Sequence, residues 1–426
     1  MTAVDAPGAA LPAQEMSAAR VRYCLIVLTA CWSLNMLDRQ LLAIVAEPIR
    51  LELNLSDTQL GLLTGPMFAV LYSAAALPIA WMADRWHRVR ILGACAIGWS
   101  VLTGAAGFAT NFAQLAVARM TMSVAEAGCN PCSQALISDY VTPERRGRAL
   151  GTYAMGIPLG LAAAGFIGGP LADAVGWRQT FIILGGASLV VALLVLFTLP
   201  EPARRAPARA PGVAEDAGFR ALLRKPAFQH LMLAGAWGST ASYGALAWGI
   251  VFVVRYFEWT PGQVGAVFAT LGAVSALIAT WLGGFMGDRL AQRDARWLAW
   301  MPAIALLLVL PFGLVGAFAP LVLILLFTSP AEAFLRSLTL APGYALLQRM
   351  TPPDARARAA AMQSLTATLV GLGLGPLMVG VVSDALAPSL GADSLRWGMA
   401  ALLIPQALAA AHLWRAARTL RADVIE

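Results

Sequence analysis

The chain holds 426 residues, of which 59% are hydrophobic and 12% charged, with a formal net charge of +7. Soluble globular proteins carry roughly 45–50% apolar and about 25% charged residues. The composition therefore excludes a soluble globular protein, a disordered chain and a disulfide scaffold, and at about 20 apolar residues per crossing it leaves room for about ten to fourteen transmembrane helices. Residues 1–22 read as a cytoplasmic tail without a cleavable leader, because no basic stretch precedes a short apolar core. Twelve apolar stretches follow, near 23–45, 59–82, 89–109, 113–138, 148–173, 180–198, 229–254, 262–285, 297–317, 320–347, 359–383 and 395–416. The Pro-, Ala- and Arg-rich interval 199–228 reads as a cytoplasmic linker between two six-helix bundles, 23–198 and 229–416, with a short tail at 417–426.

Charge placement sets the expected orientation. Placing the N-terminus, the even-to-odd loops and the C-terminus on one side collects 23 of the 30 Lys and Arg. Four (Arg50, Arg178, Arg255 and Arg396) fall on the other side, and three (Arg39, Arg119 and Arg336) fall inside spans. The positive-inside rule then predicts cytoplasmic termini. The cysteines, Cys24, Cys31, Cys95, Cys129 and Cys132, all lie in apolar segments, so Cys129-x-x-Cys132 reads as helix packing without a redox role. His87, His230 and His412 fall at cytoplasmic helix ends and read as solvated.

The halves repeat. Ala80-x-x-x-Asp84-Arg85 recurs as Gly284-x-x-x-Asp288-Arg289, Pro143-Glu144 with its arginines recurs at Pro353-Asp354, and Gly169-x-x-x-Asp173 recurs as Gly380-x-x-x-Asp384. Parallel six-span repeats around a central site are the plan of an alternating-access carrier.

Six plus six spans, Asp84-Arg85 after the second span and basic loops 2–3 and 8–9 resemble the major facilitator superfamily. Within it, Asn35-Met36-Leu37-Asp38-Arg39-Gln40, the run Leu55 to Leu63, Arg119 with Ala125-Glu126-Ala127, Ile137-Ser138-Asp139-Tyr140 and Ile157-Pro158-Leu159-Gly160 resemble the spinster family. The resemblance implies a major facilitator fold. It also implies a lysolipid or sphingoid-type substrate and, as in prokaryotic members, a link to protons.

Ionisable groups inside spans cost about 2.5–3.5 kcal/mol each on insertion scales, so they are expected to face a cavity or a partner. Asp38 and Arg119 lie about 10 Å below the same surface by helix rise, and Glu126 is two turns beyond Arg119 on the same face. Depth predicts an Asp38–Arg119 ion pair whose separation loads a proton, with Glu126 assisting, while Arg39 points about 100° away toward another partner and is a candidate for the substrate cavity. The rival is a static buried salt bridge. Glu332 and Arg336, spaced i, i+4, can satisfy each other or anchor a head group.

Trp237, Ser239 and Tyr243 are the remaining cavity candidates, because the seventh span usually lines the route in this superfamily. Asp84, Arg85, Arg145, Arg146, Asp288 and Arg289 are expected to form a cytoplasmic gate. Glycines and prolines along the fifth and eleventh spans predict kinks and close helix approach.

No phosphate-binding loop, metal-ligand spacing or soluble catalytic domain is visible, so no cofactor, metal, nucleic-acid partner or enzymatic activity is expected. The expected function is proton-linked carriage of an amphipathic, lipid-like substrate by a monomer in a bacterial inner membrane. The alternatives are the same fold moving organic anions or drug-like molecules and, remotely, an intramembrane lipid-modifying enzyme.

Overall fold

The computed structural model describes residues 16–202, 222–352 and 355–423. Most of the expected 199–228 linker, the first fifteen residues of the N-terminal tail, the last three of the C-terminal tail, and Pro353 with Asp354 lie outside them. Every regular element among the described residues is helical. The first half contains α1 (Ala18–Ile44), α2 (Ala46–Leu53), α3 (Asp57–Thr64), α4 (Pro66–Arg85), α5 (Arg88–Ala106), α6 (Phe112–Glu126), α7 (Cys129–Tyr140), α8 (Pro143–Ala154), α9 (Gly156–Ala163) and α10 (Gly169–Thr198). The second contains α11 (Pro226–Phe257), α12 (Pro261–Ala291), α13 (Trp297–Ala317), α14 (Val322–Ser337) and α15 (Leu340–Met350). It continues with α16 (Arg356–Thr366), α17 (Gly373–Leu390), α18 (Ser394–Ala401) and α19 (Leu403–Asp423).

Nine helical segments among the described residues are long and apolar enough to cross a bilayer. Two of them, of 54 and 63 residues, far exceed a hydrocarbon core of about 30 Å at about 1.5 Å per residue. Each is broken by a glycine at positive φ, Gly176 at 80° and Gly391 at 55°, a backbone region costly for side chains with a Cβ.

The sequence repeat reappears as local geometry. Asn54 and Glu258 close α2 and α11 in the left-handed region. Ser56 and Thr260 then open α3 and α12 with capping boxes completed by Gln59 and Gln263. In each box a side-chain oxygen takes one orphan N–H while the Gln oxygen takes another, which sets the first turn. The expected disturbances in the fifth and eleventh spans are π-helical turns, Ala164–Gly168 and Ala367–Leu372. Such bulges often lie at functional sites.

Packing differs between the two ends of the molecule. One end carries the α3 and α12 N-termini, and the other carries the basic loops. At the basic end each half has its own core, one built around Leu92, Trp99 and Leu136 and the other around Phe228, Leu298 and Leu346. At the opposite end one core joins the halves, bringing Ala46 and Leu60 against Trp248, Phe252 and Val379. The halves are thus fused at the first end, called the closed end below. Trp81, Phe197, Trp281 and Phe327 project from the outer surface, as a lipid-facing wall requires.

All five cysteines are free, and Cys24, Cys31, Cys129 and Cys132 are buried. His230 and His412 depart from the expected solvated histidines, because their Nδ1 atoms meet at 3.0 Å between α11 and α19. Two helices brought together far apart in sequence decide that contact.

Candidate functional site

The site begins with four charges in the first half. Asp38 and Arg39 are adjacent on α1, and Arg119 and Glu126 lie two turns apart on α6; Asp38, Arg119 and Glu126 are buried. Arg39 Nε donates to Glu126 Oε2 at 2.8 Å, the other partner expected for it. Asp38 Oδ1 accepts from the Thr103 hydroxyl at 2.7 Å, and Arg119 Nη1 lies 3.5 Å from Met122 Sδ.

The Asp38–Arg119 ion pair expected from depth is therefore not formed. Helix rise placed the two residues at one level, but rotation about the helix axes assigned Glu126 to Arg39. Phe68 supplies the remaining reason: its ring lies 4.5 Å from the Arg119 guanidinium and 5.0 Å from that of Arg39. The negative ring face takes up part of both charges. Asp38 Oδ2, Glu126 Oε1 and Arg119 Nε make no hydrogen bond of good geometry.

Arg39 keeps 22% of its side chain exposed while Glu126 keeps none, so the pair has one open edge. Aromatic rings surround that edge. The Arg39 guanidinium lies 4.4 Å from the Tyr72 ring and 5.8 Å from Trp32, Tyr72 stacks on Phe68, and Trp32 stacks on Tyr153. Across the interface, Tyr243 of α11 lies within electrostatic reach of Arg39, Tyr72 and Tyr344.

The other second-half candidates are more dispersed. Ser239 packs onto Gly371, whose added Cβ would meet Ser239 Cβ at 2.4 Å. Trp237 packs against the second half's own core. Glu332 and Arg336 form the i, i+4 pair at 2.9 Å, with Glu332 against Gly313 and Gly316.

At the basic end several candidate gate residues make contacts inside their own halves. Arg88 pairs with Asp139 and reaches Asp84 at 3.9 Å. Arg85 stacks on Trp81, Arg146 donates to the Ser138 carbonyl, and Arg289 lies over Phe285. Arg145 and Asp288 are exposed.

Among the described residues, a set of polar bonds joins the halves at the closed end. Arg255 of α11 spans Glu47 and Asp57, with Nη2–Oε2 at 2.7 Å and Nη1–Oδ2 at 2.9 Å. Arg50 shares Glu47 at 2.8 Å, and the Ser383 hydroxyl donates to Asp57 Oδ2 at 2.6 Å. Burial pushes the Glu47 carboxyl up, but hydrogen bonds and charge from Arg50 and Arg255 outweigh it and hold Glu47 below the ordinary carboxylate value.

Two aspartates complete the join, in symmetry. Asp384 accepts from the Asp57 and Thr58 N–H groups at 3.1 and 2.7 Å, and Asp173 accepts from Gly262 N at 3.0 Å and the Thr260 hydroxyl at 2.6 Å. Each aspartate thus caps the α3 or α12 N-terminus of the opposite half, where orphan N–H groups and the helix dipole favour an anion. These are the aspartates of the two Gly-x-x-x-Asp repeats, visible in sequence as repeats but not as caps. The four arginines outside the positive-inside count also find use here, since Arg178 and Arg396 donate to the Gly107/Ala109 and Ala317/Ala319 carbonyls that end α5 and α13.

The glycines of these repeats permit the approach. A Cβ on Gly380 would meet the Asp57 carbonyl oxygen at 2.2 Å, whereas one on Gly373 meets only Ala69 Cβ at 3.8 Å. Gly380→Ala is expected to weaken the closed end by about 1–3 kcal/mol, shifting its population from about 5-fold to somewhat over 100-fold toward opening. Gly373→Ala should leave it in place. Spin-label distances between cysteines at Leu51 and Ser389, in a cysteine-free background, measure both; equal distributions in the two variants would refute the close-approach role.

A model of the Major Facilitator Superfamily matches residues 28–376 of the chain. An MFS-type efflux pump of Mycolicibacterium smegmatis is 34% identical over 406 residues, covering 94% of this chain and 93% of that protein. Protein spinster homolog 1 of Xenopus laevis is 25% identical over 378 residues, 83% of this chain and 71% of that one. Among solved structures, a bacterial homolog of the human lysosomal transporter spinster, inward-facing and unoccupied, matches with a TM-score of 0.87 and 29% identity over 96% of this chain and all of that one. The chain belongs to the major facilitator superfamily, as an integral membrane transporter related to the spinster proteins.

Proposed function

We propose that the chain is a proton-linked secondary carrier that moves an amphipathic, lipid-like molecule by alternating access. The observation that carries this reading is the buried Asp38–Arg39–Arg119–Glu126 cluster, with an ion pair open on one edge and carboxylate oxygens left without good partners. Twelve crossings, obtained by splitting the two long segments and counting α6 with α7 as one, place both termini on the basic side, read as cytoplasmic in a bacterial inner membrane. The closed end then faces outward and the molecule is inward-facing, a reading supported by its separate cores at the basic end and its likeness to an inward-facing relative.

In this state Asp38 has no ion pair, and we read it as the proton-loaded member of the cluster. Approach of Arg119 in the opposite state favours the charged carboxylate and releases the proton. Arg39, held by Glu126 and ringed by Trp32, Phe68 and Tyr72, presents one cation among aromatic faces. That pairing suits a head group bearing an anion or a zwitterion joined to an apolar body, with Tyr243 of the second half within electrostatic reach of Arg39. Trp237, Ser239, Glu332 and Arg336 pack within the second half and serve its wall. The gate residues Asp84, Arg85, Arg145, Arg146, Asp288 and Arg289 act when the basic end closes, and the carrier works as a monomer.

The exposed edge of Arg39 also fits a small organic anion, and the likeness to an efflux pump keeps drug-like molecules as the second reading. Proteoliposome uptake across a panel of lysolipids, sphingoid bases, organic anions and drug-like cations, with and without a pH gradient, separates them. Saturable uptake of lysolipids or sphingoid bases, raised several-fold by the gradient, is expected. Uptake confined to small anions, with no competition from any amphipathic lipid, would overturn the substrate assignment.

A further inference from the structure

Two adjoining grooves run along the outer surface between α13 and α19, away from the cluster above. The larger, about 660 Å³, is lined only by apolar side chains, among them Leu310, Leu314, Leu403 and Leu408. The smaller, about 300 Å³, shares Ala407 and Ala411 with it and ends at Trp414, Arg415 and Arg418. The small alanines on α19 recess the floor, and the leucines form its rims. From Leu403 to Arg415 the helix rises about 18 Å, close to the depth of one leaflet in a hydrocarbon core of about 30 Å.

The polar end of this channel is distinctive. Arg415 and Arg418 are one turn apart and exposed, and neither has an ion pair among the described residues. Arg296 nearby is different: it pairs with Asp294 at 2.8 Å and stacks on Trp300. Trp300 in turn lies 6.3 Å from Trp414. Tryptophans of this kind sit at the head-group level of a bilayer. They place the two free guanidiniums where lipid phosphates lie, directly below which the apolar groove begins.

We infer that this surface is a binding site for an anionic phospholipid, one acyl chain lying in the α13–α19 groove and the phosphate held by Arg415 and Arg418. Charge complementarity selects the occupant. A zwitterionic lipid brings a cation that two unpaired arginines repel, whereas a net-negative head group leaves both attractions intact. The site rests on the membrane placement of the chain and not on the substrate reading, so failure of either leaves the other standing.

Native mass spectrometry of the full chain in detergent tests it, titrating phosphatidylglycerol, phosphatidylcholine and glycerol phosphate. Phosphatidylglycerol is expected to bind on the order of tenfold more tightly than phosphatidylcholine, with glycerol phosphate failing to compete because the groove contributes. Arg415→Gln/Arg418→Gln should bring the two lipids within twofold, while Arg90→Gln/Arg148→Gln, removing the same charge elsewhere, should keep the preference. Ala407→Trp, filling the groove, should weaken phosphatidylglycerol several-fold with both arginines present. Equal binding of the two lipids by the unaltered chain, a preference that survives loss of both arginines, or full competition by glycerol phosphate would each overturn the proposal.

Discussion

Replacing Arg255 by methionine is expected to open the closed end more than any other single change in the molecule. Arg255 neutralises two buried carboxylates of the opposite half at once, Glu47 and Asp57, each 7% exposed or less. Removing one partner of a buried ion pair costs about 3–5 kcal/mol, because an unpaired charge stays in a poor solvent. Glu47 keeps Arg50 and Asp57 keeps the Ser383 hydroxyl, which softens the loss and leaves the lower end of that range, a shift on the order of 100-fold. The Leu51–Ser389 spin-label distance should lengthen in the variant. Glu47→Gln/Asp57→Asn/Arg255→Met, lacking the stranded charges, should recover much of the distance seen in the unaltered chain. An unchanged distance in Arg255→Met would show that the network does not hold the closed end together.

The same pair of labels constrains pH. The Glu47 carboxyl is lowered in the closed arrangement, so its contribution is present above the ordinary glutamate value of about 4.3 and fades as pH falls through the lowered one. Mild acidification, between about pH 7 and pH 5, should therefore leave the closed end intact. Under the proposed coupling, protons act through the interior cluster and not through this seam.

Asp38→Asn carries the second large effect. The amide keeps the length of the side chain and can still face Thr103, but it cannot gain or lose a proton. Uptake driven by a pH gradient should fall at least tenfold in proteoliposomes, while gradient-free exchange of labelled substrate continues. That split separates a coupling role from a folding defect, which would depress both. Gradient-driven uptake at the unaltered level would end the assignment of Asp38 to coupling and leave the cluster as a packing device.

How much of this is legible in the amino-acid sequence differs between kinds of feature. Helices, their approximate bounds and the two related halves follow from apolar runs and from motif offsets, because those depend only on neighbours along the chain. The two Gly-x-x-x-Asp motifs were legible as a repeat, yet Asp384 meets Asp57 and Thr58 across more than 300 residues, and no local pattern names such a partner. The interior cluster shows the boundary most sharply. Rise per residue placed Asp38 and Arg119 at one level, and the 100° turn per residue sent Arg39 elsewhere. That Glu126 receives Arg39, and that Phe68 lies within 5.0 Å of two guanidiniums, depends on the rotation of α1, α4 and α6 about their axes, which packing sets.

The scarcity of charge, 12% of residues, determined by itself that the chain enters a membrane and that each interior charge needs a reason. It also picked out Asp38, Arg39, Arg119, Glu126, Glu332 and Arg336, since burying a charge in lipid is costly wherever the fold places it. Tertiary structure alone decided who pairs with whom, which end is sealed, and that Arg50, Arg178, Arg255 and Arg396 build the sealed end. The physical reason is range: the cost of burial belongs to each residue, whereas its compensation belongs to a partner that only folding brings near.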